Sequence, residues 1–70
     1  MDFRKFKQII LLALKEAGFS AKGIKFKEDT EKGLFIAFHS GVCFTGNFRN
    51  DTITAKWASH TAVFKAADIA

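Results

Sequence analysis

The hydropathy period of this chain changes once, at Gly18, and that change sets its fold class. Up to that point Phe3, Phe6, Ile10, Ala13, Leu14 and Ala17 recur at the spacing of one helix face. From Ala21 onward apolar and polar residues alternate, punctuated by glycine and by Asn-Asp, which is the pattern of strands and turns. One helix and several strands within 70 residues leave room for a single core, so residues 1–70 read as one α+β domain. A dinucleotide fold, an α/β barrel or a multidomain enzyme would need more chain. The lone Cys43 excludes an internal disulfide and a multi-cysteine zinc site. A core of this size supplies only about 3–5 kcal/mol, so the fold must be regular or oligomeric.

The helix is expected over residues 2–17, with the Asp2 carboxylate capping early N–H groups and Gly18 as its left-handed stop. Four strands are expected near 22–28, 33–39, 42–49 and 52–58, forming an antiparallel meander. Gly41 suggests a three-residue loop, His39-Ser40-Gly41, which pairs Phe38 with Val42. Asn50-Asp51 suggests a two-residue turn pairing Phe48 with Ile53, and the tip Asp29-Thr30-Glu31 pairs Phe26 with Leu34. In that register Ile24, Phe26, Leu34, Ile36, Phe38, Val42, Phe44, Phe48, Ile53, Ala55 and Trp57 share the buried face. Leu34, Gly46 and Ala55 would form a row of reduced bulk where the helix crosses, with Ala13 and Ala17 allowing close approach. Thr61 to Ala70 reads either as a fifth strand or as a short helix carrying Ala62, Val63, Ala66 and Ile69. Its Ala-Ala and Lys content favours the helix.

Chemistry-bearing motifs are sparse. His39, Cys43 and His60 are the only metal-ligating candidates besides carboxylates, and the meander does not bring them together, so no metal or cofactor is expected. A Cys43–His39 nucleophile pair across the tight turn lacks an orienting third group and a cleft. A minimal ribonuclease around His39 lacks a second acid–base partner. No glycine-rich phosphate loop occurs, and the seven carboxylates sit mostly at helix ends and turn tips. The chain is therefore expected not to be an enzyme.

Two surfaces remain. The outer sheet face would carry Lys25, Lys27, Phe35, Ala37, Cys43, Thr45, Asn47, Arg49, Thr54 and Lys56, with Lys25, Phe35, Thr45 and Lys56 in one row. Basic side chains around an exposed aromatic can hold a phosphate backbone and stack a base, so Lys25, Lys27, Phe35, Arg49 and Lys56 are nucleic-acid-binding candidates. The net charge of +4 makes that signal modest. On the helix, Leu12 lies away from the core stripe, and Ile9 and Leu11 widen the apolar arc beyond what one sheet requires. Ile9, Leu11, Leu12 and Phe35 are thus protein-binding candidates, for a partner protein or a second copy. Small inhibitors and adaptors, including those of mobile genetic elements, are often of this size and act by occlusion. The favoured function is such a binding module, with a small basic nucleic-acid binder as the alternative.

The order helix, antiparallel strands, short helix is similar to that of double-stranded RNA-binding domains and of small toxins built on the same plan. The tail Ser59-His60-Thr61-Ala62-Val63-Phe64-Lys65 lacks their lysine-rich helix start, and one strand is extra, so no family follows. The opening Arg4, Lys5 and Lys7 before Ile9-Ile10-Leu11-Leu12 resembles a secretory signal. The run ends at Lys15-Glu16 without a small-residue cleavage site, and no stretch could span a bilayer, so a soluble cytoplasmic protein is expected.

Overall fold

The computed structural model describes residues 1–68. Helix α1 (Phe3–Glu16) is followed by β1 (Lys25–Asp29), β2 (Leu34–His39), β3 (Val42–Asn47), β4 (Thr52–Trp57), β5 (His60–Lys65) and a 3-10 turn at Ala66–Asp68. The strands form one five-stranded antiparallel meander in the order β1-β2-β3-β4-β5. The helix starts as its sequence dictates, because the Asp2 carboxylate accepts from Lys5 N at 2.7 Å. Gly18, at φ +82°, ends it, and Phe19 N donates to Leu14 O at 2.9 Å.

The tail is a strand where a helix was favoured. Ala58-Ser59 joins Trp57 to His60 in a two-residue turn with Ala58 at φ 50°, and the reversed chain pairs with β4 along its length. Strand pairing satisfies backbone groups that the ends of a short helix would leave open, and it sets Phe64 beside Ile53. Only the short 3-10 turn is helical, and Ile69 lies outside the described residues.

The second correction is a one-residue register shift. Ser40 (φ 48°) and Gly41 (φ 82°) form a two-residue turn with both residues left-handed, so His39 pairs with Val42 and Phe38 with Cys43. Because side chains alternate with period two, that single slip turns all of β2 over. Phe35 and Ala37 become fully buried, at 1% and 0% exposure, while Leu34, Ile36 and Phe38 face outward. The flanking turns also differ from expectation. Asp29 accepts from Lys32 N, so the tip closes on Asp29–Leu34 and Phe26 pairs with Ala37. Asn47 and Asn50 accept from Arg49 N and Thr52 N, so residues 48–51 form a four-residue loop, and Gly46, not Phe48, pairs with Ile53.

The core is built around Phe35. Its ring stacks on Phe48 (centroids 4.5 Å apart) and Phe3 (5.5 Å) and tilts against Phe6 (5.5 Å), while Phe26 meets Phe3 and Phe6 edge-on. Phe6, Ile9, Ile10 and Leu14 are the helix's buried residues and form one cluster with Phe35 and Ala37 of β2, Phe44 of β3 and Ile53 and Ala55 of β4. It passes over Gly46 as expected, but the contact is made by Phe6: a Cβ there would lie 2.7 Å from the ring. Gly46 shares its row with Phe35, Ile53 and Phe64, not with Leu34 and Ala55.

Candidate binding surfaces

One helix cannot cover five strands. At the C-terminal end of α1 an apolar groove of about 620 Å³ runs between the helix and the sheet, over the hairpin ends of β2 to β5, with His39 and Ser40 at its β2 end. Ala13, Leu14 and Ala17 form its helix wall, Val42, Phe44, Ala55 and Phe64 its floor, and Phe19 and Trp57 its rim. Ala13 and Ala17, expected to permit close helix–sheet approach, instead line this gap. Phe19 is 64% exposed and Trp57 39%, large values for aromatic side chains on the inner side of a sheet. The His39 ring donates from Nε2 to the Ser20 carbonyl, which ties the segment carrying Phe19 to the end of β2. His60 tilts against Trp57, with ring centroids 5.8 Å apart.

That geometry separates the residues weighed for catalysis and metal binding. His39 lies in the inner row with Val42 and Trp57, whereas Cys43 is in an outer row with Phe38 and Lys56. Cross-strand neighbours share a face and adjacent rows alternate, so the two side chains point to opposite sides of the sheet. Among the described residues no three His, Cys, Asp or Glu side chains converge, and no helix is long and apolar enough to cross a membrane.

The outer face keeps part of its expected composition. Lys25, Lys27 and Lys56 are exposed on it, but Phe35 is in the core and Arg49 has left the strand for the loop after β3. There Arg49 lines a polar cleft with Lys32 and Glu31. The register supplies a different aromatic: Lys25, Phe38, Cys43, Lys56 and Thr61 form one row, with Phe38 51% exposed. Lys27, Ile36, Thr45, Thr54 and Val63 form the next.

The helix candidates divide. Leu11 and Leu12 are exposed, at 41% and 37%, but Ile9 is buried at 2% and belongs to the core. Ile9 lies one turn before Ala13 and beside Phe6 on the wheel, so the core stripe is wider on that side than the spacing implied. The groove's aromatics, Phe19, Trp57 and Phe64, were not among the sequence candidates. The signal for Phe64 was the run Thr61-Ala62-Val63-Phe64, which fits a fifth strand, and no sequence signal marked Phe19. Comparison with protein-family models, with curated proteins and with solved structures found no match for the chain.

Proposed function

We propose that the chain is a small non-catalytic binding module that acts through a protein–protein contact, with the groove beside α1 as its contact surface. The supporting observation is the apolar groove between the C-terminal end of α1 and the hairpin ends of the sheet, where Phe19 and Trp57 stand exposed. Burying apolar surface contributes about 25 cal/mol per Å², and large aromatic anchors at the centre of a patch dominate affinity. The groove presents few polar atoms to orient a small substrate, so side chains of a protein partner fit it better than a reactant does. The test is capture from a nuclease-treated lysate with three baits. The wild-type chain and a Lys25/Lys27/Lys56→Gln variant should retain the same partner, and Trp57→Lys should lose it. Retention by Trp57→Lys with loss by the glutamine variant would reverse the assignment.

One observation favours a second reading, nucleic-acid binding on the outer face: the exposed Phe38 stands between Lys25 and Lys56 in a cross-strand row, with Lys27 beside it. Stacking of a base on one aromatic is worth about 1–3 kcal/mol, and lysines add a salt-dependent phosphate term. A salt series separates the readings, because phosphate-dominated affinity falls steeply with salt and apolar burial does not.

A further inference from the structure

The two edges of the sheet are defended differently. β1 carries Lys25, Lys27, Glu28 and Asp29 among its five residues, the charge density that keeps an open edge from recruiting another strand. β5 has no charge between its end residues, only Thr61-Ala62-Val63-Phe64. It is also apolar toward both faces: Ala62 and Phe64 lie inward with Ala55 and Ile53, and Val63 points outward, 63% exposed. An uncharged, apolar edge of this kind is a ready template for pairing with another strand. Trp57–His60 closes a two-residue turn and is a hydrogen-bonded pair, so by alternation Ala55–Ala62 and Ile53–Phe64 are as well. Thr61, Val63 and Lys65 therefore turn their N–H and C=O groups away from β4, toward the open edge.

We propose that β5 pairs antiparallel with β5 of a second copy, about a two-fold axis at Val63, and that the pairing joins the two grooves into one cleft. A copy of β5 is the fitting occupant because the edge is complementary to itself. Val63 exchanges both backbone hydrogen bonds with the partner's Val63, and Thr61 does so with the partner's Lys65. The small Ala62 lies beside the partner's Phe64, and the strand's one lysine faces a threonine, so no like charges meet. A two-fold axis perpendicular to the sheet keeps both helices on the same face. Phe64 of β5 itself lines each groove, so pairing of the two β5 strands brings the grooves together on one face, with a helix at either side. The use of this cleft for a partner rests on the protein-contact reading above, whereas the strand pairing stands without it.

Sedimentation equilibrium over a hundredfold concentration range tests the pairing. The wild-type mass should rise from the 7.8 kDa of one chain to twice that value. Val63→Lys and Val63→Glu, each placing like charges opposite one another, should stay at one chain, and mixing them should restore the doubled mass. Val63→Pro deletes the outward N–H without touching the β4 ladder and should also stay at one chain with an unchanged far-UV spectrum. Wild type at one chain throughout overturns the pairing, as does self-association of Val63→Lys or Val63→Pro, or failure of the Lys/Glu mixture to associate. Any of these leaves lysate capture sensitive to Trp57→Lys as it was, so the two proposals fail separately.

Discussion

Gly46→Ala probes the point at which helix and sheet come closest. A Cβ at Gly46 would lie 2.7 and 2.9 Å from two ring carbons of Phe6 and 3.1 Å from the Met1 side-chain methyl. Ordinary contact begins near 3.4 Å, so the ring must withdraw by roughly 0.7 Å. It has nowhere to go: Phe6 is fully buried, tilted against Phe35 at 5.5 Å and edge-on to Phe26 at 6.4 Å. Overpacking of this kind costs about 1–3 kcal/mol. Alanine recovers part of that, about 0.5–1 kcal/mol, because glycine loses more backbone entropy on folding. The net expectation is a loss between about 0 and 2.5 kcal/mol, centred on about 1.3 kcal/mol, which at the centre is a fall in Tm of about 5–10 °C for a domain this small. Urea denaturation followed by far-UV circular dichroism measures it directly. Phe6→Leu in the same chain removes the ring edge that the new methyl strikes, so the double variant should be more stable than the two single losses added, by about 0.5–3 kcal/mol. A Gly46→Ala protein more stable than wild type, or strict additivity with Phe6→Leu, would refute the close approach.

Phe35→Ala and Phe38→Ala should differ sharply: the first costs about 3–5 kcal/mol, comparable to the whole stability of a domain this size, and the second stays within about 0.5 kcal/mol. The reverse order in thermal melts would restore the alternative register of β2. Ala58 holds φ 50° at the β4–β5 turn, so Ala58→Gly should gain about 1 kcal/mol and raise Tm by about 4–8 °C; an unchanged or lowered Tm would contradict the turn geometry. Asp2→Ala removes the 2.7 Å cap to Lys5 N and should cost about 1 kcal/mol in denaturant titration. Leu12→Asp, at a 37% exposed position, should leave the fold and the groove-dependent capture intact, and unfolding would place Leu12 in the core.

The parts of the fold legible in the sequence are those where one physical signal acts alone. The helix and both its ends follow from the period, Asp2 and Gly18, and the meander follows from alternation and turn residues. Strand β2 was not legible because Leu34-Phe35-Ile36-Ala37-Phe38 is apolar at every position, so alternation favours neither face. The turn decided the matter, and it did so by placing Ser40, a residue with a Cβ, in the left-handed region. The same holds for β5, whose turn uses Ala58 at positive φ where glycine is the usual signal. Both misreadings move the candidate site: the first takes Phe35 into the core and brings Phe38 out, and the second widens the sheet past the helix. Lys25, Lys27 and Lys56 lie on the outer face as expected because Lys25-Phe26-Lys27 and Thr52-Ile53-Thr54-Ala55-Lys56 alternate.

The proposed contact runs through the apolar groove beside α1 and not through the basic outer face. Hydroxyl-radical footprinting of the captured complex tests it most directly, because it reads side chains and so distinguishes two faces of the same strands. Phe19 and Trp57 should lose their labelling on binding while Phe38, on the opposite face, keeps it. Protection of Phe38 with Phe19 and Trp57 still labelled would contradict the account.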